Sequence, residues 1–312
     1  MGVRPCLVSW IISFLEQRAQ CVRYCGSMSN WNDINAGVPQ GTKLGPILFL
    51  IMINDACETA SVQYLKYVDD LTLIESRKLT QQPCIQDALN DFSIWTDNNN
   101  MKLNPTKCQY MNICFQRSPA HIPPFVISDF QISQTKCMKL LGIYIQSNLK
   151  WDSQINNMCG NFNRRLFFLR QLKRSLVSVK DLLTVYIMYV RPTIEYACPV
   201  WFSGLSKAHI VTLERLQKKA FRIILAGHVS SAKPYKEICQ EFGLLTVADR
   251  LEQLFLNFGT TLLHSTTYRH WLPQNRNNNL RNSNQLCTFK SRTNRYKRSC
   301  IPSLVDALNK NN

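Results

Sequence analysis

Between Val62 and Ile74 the chain runs apolar, then acidic, then apolar again. Val62 to Lys66 and Leu71 to Ile74 are rich in Val, Leu, Tyr, Thr and Ile. The short link between them, Tyr67-Val68-Asp69-Asp70, predicts a β-hairpin. The link has no glycine, although such turns usually need φ > 0; Asp tolerates that conformation. Upstream, Leu44 to Ile53 is apolar nearly all round, which predicts a helix buried beneath a sheet. Pro46 suits its first turn, and Gly37, Gly41 and Gly45 punctuate the loop that feeds it. Ile85, Ala88, Leu89, Phe92 and Trp95 recur at helical spacing, and Asn98-Asn99-Asn100 predicts that helix's end. Residues 6–15 read as a helix, although Trp10, Ile11 and Ile12 also allow a buried strand. Residues 18–36 read as a strand or hairpin, and 101–115 and 125–145 as strands. The pattern is α+β, a mixed sheet with helices packed behind it.

From Trp151 the character changes. Residues 154–174, 178–198 and 207–226 carry three helical patterns. In the second, Leu182, Leu183, Tyr186, Tyr189 and Val190 form an apolar stripe that Pro192 interrupts. Arg164, Arg165, Arg170, Lys173 and Arg174 crowd the first; Arg215, Lys218, Lys219 and Arg222 crowd the third. Residues 273–300 are dominated by Asn and by Arg276, Arg281, Lys290, Arg292, Arg295, Lys297 and Arg298. No Asp or Glu falls between Glu252 and Asp306. So few apolar residues predict a segment that stays disordered until it meets a partner. The expected organisation is an α+β domain at 1–150, then a helical domain at 151–272, then a basic, disordered tail at 273–312. There are no internal repeats.

Charge sharpens this. The 312 residues hold 37 Lys+Arg against 20 Asp+Glu, a formal net charge of +17. Such an excess favours a polyanion partner, most simply nucleic acid; for each basic cluster alone, a solvated face is the alternative. The 13 cysteines include no Cys-x-x-Cys pair, and Cys21 and Cys25 lack partners at zinc-finger spacing. They read as buried thiols of a reducing, intracellular compartment, nuclear or cytoplasmic. No apolar run reaches the length of a membrane span. Cys6 stands where a myristoylation signal has Ser or Thr, and no secretory signal is evident. The basic tail suits nuclear entry.

Two adjacent carboxylates repel each other at a turn unless something offsets them. A divalent metal does so, because Mg²⁺ takes oxygen ligands; a solvated acidic turn is the alternative. The loop Gly37-Val38-Pro39-Gln40-Gly41-Thr42-Lys43-Leu44-Gly45-Pro46, followed by the Tyr67-Val68-Asp69-Asp70 hairpin, closely resembles the palm of reverse transcriptases, in particular the non-LTR (LINE-type, jockey-like) retrotransposon class. The resemblance extends upstream to Trp10–Leu15 and Arg18–Val22, and downstream to Met101–Lys107 and Leu140–Ile145. It continues through Tyr189, Arg191-Pro192, Tyr196-Ala197 and Val200-Trp201. It implies RNA-directed DNA polymerisation with Mg²⁺ or Mn²⁺, an RNA template, a DNA primer and deoxynucleoside triphosphates. In that resemblance Asp69 and Asp70 are metal ligands and Lys107 helps protonate pyrophosphate. Tyr67 and Val68 lie near the primer end, Pro39, Gln40 and Gly41 line the template base and incoming nucleotide, and Leu141-Gly142 grips the primer. The helical domain then resembles a thumb, whose Arg164, Arg165, Arg170, Lys173, Arg174, Lys218 and Lys219 hold the duplex by its phosphates, without sequence information.

The resemblance also has gaps. The family places another aspartate on a strand before the glycine-rich loop. Here Asp33 is too near the loop and in a turn-like context, and Glu16 does not match. The fingers and an endonuclease domain are absent, which implies that the chain begins inside the polymerase domain and is inactive alone. The alternative is a non-catalytic nucleic-acid-binding remnant of a retroelement. An RNA-dependent RNA polymerase or intron maturase is less favoured. The former usually presents a glycine before its Asp pair, and Leu140–Ile145 favours the retroelement hairpin.

Overall fold

The computed structural model describes residues 3–58, 61–78, 81–116, 122–275 and 285–311. Two units divide the chain: Met1–Tyr110 with Ala120–Ser133, and Met111–Pro119 with Gln134–Asn312. Both mix helices with short antiparallel hairpins, an α+β composition.

In the first unit, the helix Pro5–Leu15 is followed by Arg18–Gln20, which pairs antiparallel with Asn32–Ile34 around an inner hairpin of Arg23–Tyr24 and Ser27–Met28. Asp33 therefore sits in a strand opposite Ala19, not in the turn expected for it. The helix Leu44–Ile53 and the helix Ile85–Asn98 flank the hairpin Gln63–Tyr67/Asp70–Ile74. Ile53, Ala56, Cys57 and Phe92 are buried there, with Phe49, Tyr64, Leu71, Leu73, Trp95 and Leu103 packed against them. The other side of Ile85–Asn98 meets a second cluster through Ile85 and Leu89, around Phe125, Ile127 and Ile132. Gln86 fastens that contact: its amide donates to the Val126 carbonyl and its Oε1 accepts from the Val126 amide, both at 2.9 Å.

Several expectations change here. The sheets have two strands each, so the mixed palm sheet is not formed among the described residues. The helix Leu44–Ile53 is accordingly not buried beneath a sheet. Only Gly45 and Ile53 are buried, while Ile47 and Leu50 are about half exposed, at 53% and 49%. A two-stranded ribbon is too narrow to cover both flanks of a helix roughly 10 Å across. Residues 101–115 hold one short strand, Gln109–Tyr110, and a 3-10 turn, Pro105–Lys107, because Pro105 fixes φ and withholds a ladder donor.

The second unit is built on the hairpin Cys137–Leu140/Ile143–Gln146 and the helices Asp152–Arg174, Val179–Val185, Lys207–Ile224, Val247–His264 and Cys300–Asn311. Phe162, Leu166, Leu182, Tyr186, Trp201, Leu213 and Leu251 are fully buried in its core. Pro192 interrupts the second helix as expected, and its effect reaches upstream. A π turn, Tyr186–Val190, and a 3-10 turn, Arg191–Ile194, replace α geometry, with the Arg191 amide reaching back to the Tyr186 carbonyl. The tail departs from expectation. Residues 276–284, with Arg276 and Arg281, lie outside the described residues. Beyond them, Leu286, Leu304, Val305 and Leu308 are buried with Phe255, Leu262 and Leu272. Leu304 approaches so near that a Cβ on Gly259 would sit 2.8 Å from its Cδ1. The apolar spacing of 304, 305 and 308 makes one helix face, and that face outweighs the polar average of the segment.

Candidate functional site

The acidic link folds as a two-residue turn. Tyr67 pairs with Asp70, leaving Val68 and Asp69 at the tip. The left-handed conformation falls on Val68, at φ 54°, and not on either aspartate. A β-branched residue with positive φ is a steric outlier, worth of order 1–3 kcal/mol of local strain. Asp69 and Asp70 are both exposed, as are Tyr67 and Val68. Among the described residues, no group of three His, Cys, Asp or Glu side chains is placed to hold a metal. The two carboxylates therefore do not form a complete divalent-metal site by themselves. Mg²⁺ needs near-octahedral oxygen ligation, and two adjacent carboxylates approach from one side.

The glycine-rich loop is shaped by one hydroxyl. Thr42 Oγ1 donates to the Pro39 carbonyl at 2.9 Å and accepts from the Gly45 amide at 3.1 Å. This brings Gly45 so close that a Cβ there would lie 2.9 Å from the Pro39 oxygen. Gly41 turns the chain at φ 79°, and Gln40 and Gly41 are exposed on that turn. Arg18 fixes the loop's entry, donating to the Ala36 and Gly37 carbonyls at 3.1 and 2.7 Å.

Lys66 joins loop helix to acidic hairpin. Its ammonium donates to the carbonyls of Ile53, Asn54 and Ala56 at 3.2, 2.5 and 2.9 Å. These acceptors lie at and just past a helix C-terminus, where a cation is favoured; the Ile53 carbonyl also accepts from the Ala56 amide. Lys107 closes the Pro105–Lys107 turn and is exposed.

In the second unit, Leu141 and Gly142 form the tip of their hairpin, both left-handed at φ 45° and 85°. Tyr196 Oη donates to the Leu141 carbonyl at 2.9 Å, and its ring occupies the space a Gly142 Cβ would need. Buried Trp201 holds Tyr196 in turn, its indole N–H donating to the Tyr196 carbonyl at 2.9 Å.

The basic residues do not share one face. Lys173 turns inward and caps Lys207–Ile224 by donating to the Ile224 carbonyl at 2.9 Å. Arg165 lies over the Tyr189 ring, 4.4 Å from its centroid. Lys219 donates to Asn163 at 2.8 Å, and Lys218 sits over the Tyr235 ring. Arg164 and Arg174 are exposed and Arg170 is half-buried. Beneath the third helix runs a buried polar relay. Tyr186 donates to Gln217, Gln217 donates to Tyr235 and the Leu245 carbonyl, and Tyr235 donates to Glu214. Burial raises both tyrosine pKa values well above the usual range, so both hydroxyls stay donors.

Arg18, Thr42, Lys66 and Tyr196 are the positioning residues that sequence reasoning passed over. Arg18, Thr42 and Tyr196 stand within segments of the resemblance, with no role assigned to them there. Arg18 and Lys66 act across contacts that no local spacing encodes, whereas Thr42 bonds only within its own turn.

Residues 1–145 match the family described as reverse transcriptase (RNA-dependent DNA polymerase). The chain is similar to the probable RNA-directed DNA polymerase from transposon X-element of Drosophila melanogaster, 26% identical over 275 residues, which cover 85% of this chain and 28% of that relative. It is similar to the RNA-directed DNA polymerase from mobile element jockey of Drosophila melanogaster, 26% identical over 80% of this chain and 28% of the relative. The jockey polymerase of Drosophila funebris is 29% identical over 70% of this chain and 25% of its own length. The chain thus spans little more than a quarter of these relatives. No solved structure matches.

Proposed function

We propose that the chain is a jockey-like non-LTR reverse transcriptase, as the family match over residues 1–145 and the similarity to the X-element and jockey polymerases support, and that it supplies part of an RNA-directed DNA polymerase. Its substrates are then an RNA template, a DNA primer and deoxynucleoside triphosphates. The observation that carries the reading is the strained turn at Val68–Asp69, which presents two exposed carboxylates at the end of a hairpin. Strain at such a turn persists where surrounding structure over-determines it, and it clusters at working sites.

Reverse transcriptases use divalent metal ions. Asp69 and Asp70 are two of the ligands, for Mg²⁺ or Mn²⁺, and a further carboxylate from outside the described constellation completes the site. The Thr42-braced loop sets Gln40 and Gly41 beside the nucleotide, with Tyr67 and Val68 near the primer end. Lys66 keeps loop helix and hairpin in fixed relation, so a nucleotide bound at the loop stays in register with the carboxylates. Leu141–Gly142 serves as the primer grip. Lys107 is a proton donor to pyrophosphate, and the basic helices carry the duplex by its phosphates.

A second reading, a non-catalytic nucleic-acid-binding protein, is favoured by the incomplete acidic constellation. One assay separates the two. The chain is joined in frame to the upstream segment of the jockey relative and given an RNA template, a DNA primer, Mg²⁺ or Mn²⁺ and all four deoxynucleotides. Extension that disappears in Asp69→Ala supports the polymerase reading. Extension indifferent to Asp69, or none with nucleic-acid binding intact, favours the second.

A further inference from the structure

Where the α ladder gives way before Pro192, the π turn Tyr186–Val190 points its side chains two ways. Tyr186 and Val190 are buried, whereas Met188 and Tyr189 are 76% and 46% exposed. π turns are uncommon and are found frequently at functional sites. Beside this one, on Asp152–Arg174, Phe167 and Phe168 are 60% and 48% exposed. Phe168 meets the Tyr189 ring edge-on, with centroids 5.8 Å apart. The Arg165 guanidinium lies over the same ring, 4.4 Å from its centroid, and is held there by donating to the Tyr189 carbonyl. Arg164, exposed and bonded to Asn161, adds a second cation.

We propose that Phe167, Phe168, Met188 and Tyr189, with Arg164 and Arg165, form a platform on which unpaired bases of a single-stranded nucleic acid stack. The occupant follows from the chemistry. Flat, exposed aromatic faces welcome a π-surface, and the flanking guanidiniums require an anion beside it. Single-stranded nucleic acid offers both in alternation, whereas a duplex hides its base faces. The overall charge of +17 complements the same polyanion. Arg165 already covers one face of Tyr189 and stays in place while a base stacks beside it, on the exposed rings of Phe167 and Phe168. The inference rests on the nucleic-acid reading above and adds to it: the phosphate contacts of the basic helices ignore bases, and this platform does not.

The test compares two probes of equal length and charge, an oligoadenylate strand and an abasic strand, bound to the full chain in a salt series. The base-bearing strand is expected to bind at least about tenfold tighter, the order of gain that stacking a base on an aromatic ring brings. Phe168→Ala with Tyr189→Ala should close that gap and leave the abasic affinity and the salt slope unchanged. Phe168→Leu, which keeps apolar bulk without a π-face, should close part of it in a chain with unchanged circular dichroism. Equal affinity of the unaltered chain for both strands would overturn the platform. So would aromatic substitutions that weaken both strands equally. Failure to bind either strand at low salt would instead overturn the nucleic-acid reading itself, and the platform with it.

Discussion

Tyr196 and Gly142 are 54 positions apart in sequence, yet the Tyr196 ring stands 3.2 Å from where a Gly142 Cβ would be. The tyrosine hydroxyl meanwhile bonds the neighbouring Leu141 carbonyl. Gly142→Ala should therefore meet two obstacles, a left-handed φ of 85° and an occupied space. The φ cost alone is roughly 1–2 kcal/mol. Tyr196→Phe removes only the hydrogen bond, worth about 0.5–1.5 kcal/mol. Hydrogen exchange over residues 137–146 should accelerate in both variants, more in Gly142→Ala. Equal protection in Gly142→Ala and the unaltered chain would show that the ring does not hold the turn.

Lys66→Met should destabilise the first unit. Three carbonyls at the end of Leu44–Ile53 lose their shared donor. Hydrogen bonds to a charged group contribute about 1.5–3 kcal/mol each before solvent screening, and part exposure brings the total toward the lower figure. Urea unfolding followed by fluorescence is the measurement. Lys66→Arg should recover less than full stability, because a planar fork cannot converge on three acceptors as an ammonium does.

How much of this was legible beforehand depends on the range of the contact. The Phe92–Trp95 helix and the hairpin around Asp69 and Asp70 were written in local periodicity, and the hairpin at Leu141–Gly142 only in the family resemblance. Two of the helices after Trp151 ran within two residues of their patterns; the second broke before Pro192. Side-chain preference favours an aspartate for the positive φ, yet it falls on Val68, because hairpin pairing decides which residue turns the corner. The burial of Leu304 and Val305 was missed by averaging over a polar segment. The roles of Thr42, Lys66 and Arg18 were not legible, because a side chain's backbone acceptor leaves no mark in composition.

That tail changes one experiment. Removing residues 285–311 would strip Leu286, Leu304, Val305 and Leu308 from a shared core, so truncation would report unfolding. Leu304→Ala alone should cost about 2–5 kcal/mol, read in a thermal melt. Charge is better probed by Lys290→Gln with Arg292→Gln. Both side chains are exposed, and each should lower the salt slope of nucleic-acid binding by roughly 0.7–0.9 if it meets phosphate. An unchanged slope would remove them from the interface.

Thiol chemistry gives a further check. Burial pushes the Cys198 thiol up to about 12 and Cys300 up to about 11, and it raises Cys57 and Cys239 as well. Only the thiolate reacts. At pH 8, alkylation of the native chain should mark exposed Cys6, Cys25, Cys84 and Cys287 first. Cys198 should be labelled only after denaturation; rapid native labelling there would contradict its packing.

The half-covered helix Leu44–Ile53 sets a practical rule for handling this protein. Ile47, Leu50 and Met52 face water, as do Leu7 and Trp10 on the first helix. What opposes their mutual adhesion in solution is the long-range repulsion of a +17 polycation. Salt shortens that repulsion to about 8 Å at 0.15 M and about 3 Å at 1 M, while leaving the greasy faces untouched. Raising the ionic strength should thus turn a dispersed protein into a self-associating one. A binding curve that falls at high salt then has two origins, which light scattering on the unliganded sample tells apart.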